Sequence, residues 1–172
     1  DVNCNWSLAQ TEEMLPRMQA LDLYWVEEPI WPPEDFETLG DLERRFGVAM
    51  AAGENCCTAF QFKHLIPAIR FIQPSVTKVG GILEFLNVAE ETKAGGKVLM
   101  PHCPYSGPGW WASLQLAAAL PEIPMLEFLY IEPKSWVGID SPVPVKGMVQ
   151  IPNGPGLGFE PDPVALEKFR VG

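Results

Sequence analysis

Three carboxylates, Asp1, Glu27 and Glu54, recur at intervals of 26 and 27 residues. That is about the length of one strand, one helix and two loops, so the spacing predicts all three at the same end of successive parallel strands. Side chains placed this way converge. Converging carboxylates repel one another unless a cation neutralises them, and hard oxygen donors point to a hard divalent metal. A structural calcium site is the weaker alternative. Calcium usually takes more ligands, often from a single loop, whereas these lie on three separate strands.

Neighbouring residues add to this set. Asn3 follows Asp1 in a D-x-N pattern, which in an extended strand would turn both side chains the same way. Glu27 opens Glu-Glu-Pro, with Pro29 ending the strand. Gly53, just before Glu54, permits a close backbone approach. His102, after Pro101, falls at a strand end in the same phase as the acids and predicts a proton-transfer group. The other histidine, His64, sits beside Lys63 on a helix and reads as a surface residue. Lys78 is either a cation facing an anionic site or the partner of a nearby carboxylate. Glu127 lies in the apolar stretch Met-Leu-Glu-Phe-Leu, where an ionisable group is costly to bury without a partner.

The elements that must hold these residues alternate along the chain. Helices are predicted at 7–21, 35–46, 58–65, 82–94 and 110–120, with Ser7, Asp35 and Thr58 as N-caps and Gly47 and Gly95-Gly96 as stops. Short apolar strands are predicted at 24–26, 48–52, 70–73, 98–100 and 125–128, together with a strand barely begun at the N-terminus. Near-continuous apolar strands suit burial on both faces, and strand–helix alternation suits parallel βα units. The fold class is therefore α/β, a partial (β/α)8 TIM-type barrel over residues 1–130. Residues 131–172, rich in Pro and Gly, read as a tail that packs on the barrel or on a capping domain. Six strands do not close an eight-stranded barrel. The first barrel strands and an N-terminal capping domain are thus expected to precede Asp1.

Composition narrows the partners. The net charge of the 172-residue chain is −10, which argues against nucleic acid and anionic membrane surfaces. An acidic protein can still take an acidic substrate where a metal reverses the local sign. No apolar run approaches the roughly 18 residues of a membrane span, and no signal peptide is visible. Cys4, Cys56, Cys57 and Cys103 form no C-x-x-C pair. They read as free thiols of a reducing, cytoplasmic compartment.

The ordered set D-x-N, W-V-E-E-P, A-G-E-N, Q-P-S-V-T-K-V-G-G, P-H and L-E resembles the barrel of the enolase superfamily, in its mandelate racemase and acid-sugar dehydratase branch. The resemblance covers essentially the whole chain from the third barrel strand onward. It implies Asp1, Glu27 and Glu54 as ligands of Mg2+ and Asn3 as a polar residue beside the metal. It also implies His102 as the seventh-strand acid/base and Glu127 as an eighth-strand acid bonded to a substrate carboxylate. Two departures stand out. The second-strand lysine motif has no counterpart in the chain and would lie before residue 1. The sixth-strand aspartate that often pairs with the histidine is replaced by Ser75, which cannot stabilise an imidazolium as a carboxylate does.

His102 is therefore expected to act as a general acid rather than a strong base. Ser75 and Lys78 are counted with Asn3 and Glu127 as substrate contacts. The implied reaction is dehydration of a small-molecule hydroxy-carboxylate. A proton is lost next to the carboxylate, an enediolate forms, and a hydroxyl on the next carbon leaves as water. The segments 31–36 and 101–109 are most similar to those of D-tartrate dehydratases. One alternative is a racemase or epimerase of the same superfamily. Another is a fragment without activity of its own, because the lysine base is missing. Related barrels often assemble, which leaves room for a homo-oligomer.

Overall fold

A computed structural model describes residues 1–131, 133 and 135–171. The chain divides into two compact units, Asp1–His102 and Cys103–Gly172.

The first unit is a run of βα repeats. Its sheet contains β1 (Val26–Glu27), β2 (Met50–Ala52), β3 (Phe71–Ile72) and β4 (Val98–Leu99), all parallel and in sequence order. The intervening helices are α1 (Leu8–Gln19), α2 (Phe36–Phe46), α3 (Ala59–Ala68) and α4 (Ile82–Ala94). Their ends follow the expected local chemistry. Ser7 accepts from the Gln10 amide, while the Gln10 side chain accepts from the Ser7 amide, a reciprocal cap that satisfies two orphan donors. Asp35 accepts from the Thr38 amide, and Gly47 closes α2 in the left-handed region at φ 63°. Thr58 occupies the N-cap position of α3 without a side-chain cap bond.

Strand register sorts the side chains into two faces. Glu27, Ala51, Phe71 and Val98 form one cross-strand row, while Ala52, Ile72 and Leu99 form part of the other. On the first face Ala51, Phe71 and Met100 pack with Trp25, Ala49 and Val98. On the second, the fully buried Met50, Ala52 and Ile72 belong to the core that includes Leu39, Leu42, Phe62, Leu65, Phe85 and Val88 of the helices.

Two expected strands differ from expectation. At the N-terminus, Val2, Cys4 and Trp6 donate to the carbonyls of Glu27, Glu28 and Pro29 at 3.0, 2.7 and 3.1 Å, so the segment does run alongside β1. It is not extended, however. Asn3 and Cys4 both have left-handed φ, 53° and 56°, and form a turn. Asp1 and Asn3 therefore do not alternate along a strand. Residues 125–128 adopt no strand, because no ladder partner forms there among the described residues.

The second unit holds α5 (Pro108–Ala119) and α6 (Pro163–Lys168), the latter not expected from the sequence. Its core is aromatic: Trp110, Trp111, Leu114 and Cys103 are buried, with Phe128, Trp136 and Phe159 against them. Isolated bridges Gly138–Pro161 and Val145–Met148 are its strand-like pairings. The barrel-to-tail boundary expected after residue 130 is a different division from these two units and stands as an expectation. Among the described residues no helix is long and apolar enough to cross a membrane.

Candidate functional site

The parallel strands of the first unit deliver a charged cluster at their C-terminal ends, where ligands of such sheets bind. Glu54 follows β2 by two residues. Its Oε2 accepts from His102 Nε2 at 2.9 Å, and its Oε1 lies 3.7 Å from Lys78 Nζ. His102 follows β4, is buried, and also ties its amide to the Pro74 carbonyl at 3.3 Å. The hydrogen bond from His102, against the opposing effect of burial, holds the Glu54 carboxyl below the usual carboxylate range; Lys78 adds to it. Lys78 is thus a cation at the strand-end cluster that partners Glu54. His64 is exposed on α3, with its ring edge-on to Phe60.

Glu27 and Asp1 are bonded elsewhere. Glu27 Oε2 accepts from Trp25 Nε1 at 3.0 Å. Asp1 Oδ1 accepts from the Asn3 amide at 2.7 Å, and Asp1 is exposed. The structure therefore brings together Glu54, His102 and Lys78, but does not gather Asp1, Glu27 and Glu54. Among the described residues no three His, Cys, Asp or Glu side chains are placed to hold a metal ion. The physical reason is local. The left-handed turn at Asn3–Cys4 folds Asp1 onto its own loop, the indole two residues back on the same strand face bonds Glu27, and His102 and Lys78 both engage Glu54. In chemistry the donor set still fits Mg2+, being three carboxylates with hard oxygens. In placement it is not assembled.

Ser75 is fully buried, with Oγ 3.4 Å from Thr77 Oγ1, and its carbonyl accepts from the amides of Lys78 and Val79 at 2.9 Å each. Asn3 is exposed in the N-terminal turn. Glu127 belongs to the second unit and is exposed rather than enclosed in an apolar strand. Its Oε2 accepts from the Cys103 amide at 2.7 Å. A cavity of about 980 Å3 is lined by residues between Ile139 and Glu160 and contains none of these groups. Its lining is mostly apolar or neutral.

Sequence reasoning singled out Glu27 and passed over Glu28. Glu28 is only 2% exposed. Its Oε1 accepts from the Gly53 amide at 3.3 Å, and its Oε2 accepts from Asn55 Nδ2 at 2.6 Å and Cys4 Sγ at 3.1 Å. Burial pushes its carboxyl up, with Glu54 adding to that, while the bonds from Cys4, Gly53 and Asn55 oppose the shift. Burial and the bond to Glu28 push the Cys4 thiol up to about 12, which keeps it a donor. The Glu-Glu pair marks in the sequence two carboxylates facing different ways at the strand end, without showing which of them the loops enclose.

Parallel βα units with an ionised cluster at their C-terminal ends are shared by many enzymes, and comparison narrows the choice. Residues 1–165 match the family model described as enolase C-terminal domain-like. The chain belongs to that family. It is 27% identical over 175 residues to a D-xylonate dehydratase of Haloferax volcanii, covering 98% of this chain and 42% of that protein. It is 32% identical over 154 residues to an L-rhamnonate dehydratase of Saccharopolyspora erythraea, covering 83% of this chain and 38% of the relative. A D-galactarolactone cycloisomerase of Agrobacterium fabrum is 27% identical over 183 residues, covering 99% and 48%. The crystal structure of L-talarate dehydratase from Polaromonas sp. JS666, complexed with Mg and L-glucarate, superposes with a TM-score of 0.77 at 26% identity. That match covers 94% of this chain and 43% of the other. The chain thus spans less than half the length of these relatives and corresponds to the C-terminal part of the enolase-superfamily barrel.

Proposed function

We propose that the protein is a Mg2+-dependent dehydratase of a hydroxy-carboxylate of the acid-sugar class, with His102 as the general acid. The observation that carries this reading is the 2.9 Å contact of His102 Nε2 with Glu54 beyond the C-terminal ends of β4 and β2, in a chain whose relatives include acid-sugar dehydratases. We assign Asp1, Glu27 and Glu54 to the metal. When bound, Mg2+ would stabilise the negative charge that develops on the substrate carboxylate as the adjacent carbon loses its proton.

The remaining steps belong to the chain's own side chains. His102 carries at Nε2 the proton it would hand to the leaving hydroxyl. The C–O bond breaks, water departs, and the enol left behind becomes a 2-keto acid. Glu54 fixes the ring so that this nitrogen, not Nδ1, faces the strand-end cluster. The buried Ser75 offers no carboxylate to stabilise an imidazolium, so a protonated ring would give up its proton more readily, in keeping with an acid rather than a base. Asn3, Ser75 and Lys78 are assigned to substrate contact. Glu127 carries the same assignment from the family resemblance alone. The proton-abstracting base is not assigned to a residue of this chain.

A second reading within the superfamily has its own support. The similarity to a cycloisomerase over 99% of the chain is as strong in identity as that to the xylonate dehydratase. Cycloisomerisation and racemisation retain the molecular formula, whereas dehydration releases water. Mass analysis of the product from the intact protein with Mg2+ and a panel of acid sugars separates the readings. A product 18 mass units lighter that reacts as a 2-keto acid is expected. His102→Ala should abolish its formation while leaving Mg2+ affinity nearly intact. Product formation at the parental rate would remove His102 from the mechanism.

A further inference from the structure

We infer that Asn153 is a site of spontaneous covalent rearrangement, in which the Gly154 amide closes a succinimide ring on the Asn153 side chain and water opens it to aspartate and isoaspartate. The inference is independent of the reaction proposed above. Asn153-Gly154 is the one Asn-Gly pair in the chain, and both residues are exposed. The loop that carries the pair is fastened on either side of it and loose at its tip. Gln115 Nε2, on α5, donates to the Pro152 carbonyl at 2.8 Å and to the Leu157 carbonyl at 3.1 Å. The Gly158 amide donates to the Pro155 carbonyl at 3.0 Å. Within the described residues no hydrogen bond engages the Asn153 side chain or the Gly154 amide. Electrophile and nucleophile are thus neighbours that nothing restrains.

Ring closure brings the Gly154 nitrogen onto Asn153 Cγ, an approach that a side chain on the second residue obstructs. Glycine has no Cβ to obstruct it and turns most freely about φ and ψ. The packing itself requires glycine here. A Cβ on Gly154 would come 3.2 Å from Gly158 Cα, in a stretch where Gly156 and Gly158 lie in the left-handed region at φ 63° and 71°. In the first step a bond forms between the Gly154 nitrogen and Asn153 Cγ, the Cγ–Nδ2 bond breaks, and ammonia leaves with the proton of the Gly154 amide. Water then opens the ring. Attack at Cγ restores the ordinary backbone as aspartate, whereas attack at the Asn153 main-chain carbonyl leaves the chain running through the side chain as isoaspartate. Either product adds a carboxylate beside Asp140 and Glu160 in the lining of the cavity of about 980 Å3 that Asn153 shares. Isoaspartate also adds one carbon to the backbone between the Pro152 and Leu157 carbonyls. The two bonds from Gln115 then cannot both keep their geometry, and a carbonyl of the loop loses its donor.

The test incubates the intact, folded protein at mildly alkaline pH and follows the peptide containing Asn153 by mass spectrometry. Isoaspartyl methyltransferase with a radiolabelled methyl donor is the probe for isoaspartate. The expected result is a gain of one mass unit at Asn153, release of ammonia, and methyl acceptance that grows with time. Asn153→Gln, whose longer side chain closes a ring far more slowly, should lose both the mass gain and the label. Absence of the gain from the folded parent overturns the inference. So does a gain that arises only in urea, or a gain without isoaspartate, which would mean direct hydrolysis of the amide. A second readout addresses the Gln115 clamp. The isoaspartate form, resolved by chromatography, should melt below the parent, whereas Asn153→Asp, which brings the charge without the added carbon, should melt with it. Equal melting of the isoaspartate form and Asn153→Asp overturns the loss of the clamp.

Discussion

The two units reach a packed interior by different means. In residues 1–102 the backbone bonds largely to itself. Four parallel strands form a ladder, and short amide-to-carbonyl bonds such as Glu28 to Ala51 and Gln73 to Ala52 extend it past the strand ends. In residues 103–172, side chains of α5 bond to loop carbonyls. Trp110 Nε1 donates to Pro142 O at 2.8 Å, and Gln115 Nε2 donates to Pro152 O and Leu157 O at 2.8 and 3.1 Å. The cause is composition. A stretch with Pro at 133, 142, 144, 152, 155 and 161 lacks amide donors at regular intervals and cannot sustain a ladder. Its carbonyls still require donors, and a helix with indole and amide side chains supplies them. The difference teaches where precision resides. A ladder fixes Glu54 and His102 through the backbone, whereas the second unit depends on a few large side chains.

The largest expected effect breaks the comparison at its weaker side. Trp110→Ala removes a side chain only 1% exposed that packs edge-on to Phe128 and bonds to Pro142. It should cost about 3–5 kcal/mol, read as a lowered denaturant midpoint. Trp110→Phe keeps most of the bulk and loses the N–H, and should cost about 1 kcal/mol for the unpaired carbonyl. If the Phe variant were as stable as the parent, packing alone would account for this region.

On the ladder side the vulnerable point is backbone. Gly53 sits at φ 130°, and a Cβ there would come within 2.9 Å of Phe62 Cε1 and 3.1 Å of the Gln73 amide nitrogen. Gly53→Ala should cost about 1–3 kcal/mol. It should also displace Glu54, so the chemical shifts of His102 should move with the loss of stability. An unchanged His102 signal beside a lowered melting temperature would mean that the loop absorbs the strain without passing it to the site.

How much of this was legible in the sequence follows the same division. Helix ends read well because caps are local. Ile82–Ala94 falls where the pattern placed it, and Asp35 and Gly47 bracket α2 as expected. Strand ends placed Glu54 and His102 in one phase, and they are in contact. The D-x-N reading failed because two left-handed residues, neither of them glycine, interrupt the strand, and nothing local marks Asn3 and Cys4 for that role. Residues 125–128 looked like a strand because a short apolar run does not by itself report strand pairing. The short α6 was readable in principle: Asp162 caps it from the side chain and Pro163 opens it. The roles of Glu27 and Glu28 were not separable, since only tertiary structure shows which carboxylate the neighbouring loops enclose.

The smallest expected effect concerns pH and sharpens the account of the ladder side. Glu54 is held below its ordinary range, first by the bond from His102 and then by Lys78. A carboxyl depressed on folding adds stability that is present above its unfolded value and is lost as pH falls through the folded value. Glu28 runs the other way. Its carboxyl is raised by burial, so its charged form costs stability, and that cost appears as pH rises through its folded value. In His102→Ala the main cause of the Glu54 depression is gone. The part of the acid-side loss that belongs to Glu54 should then move up toward the ordinary carboxylate range, and the Glu28 component, coupled to the Glu54 charge, should shift only secondarily. Melting temperature measured against pH for parent and variant reads this directly. An acid limb that stayed put in His102→Ala would mean that Lys78 alone suffices to hold Glu54 ionised, and the histidine contact would then orient the ring without stabilising the charge.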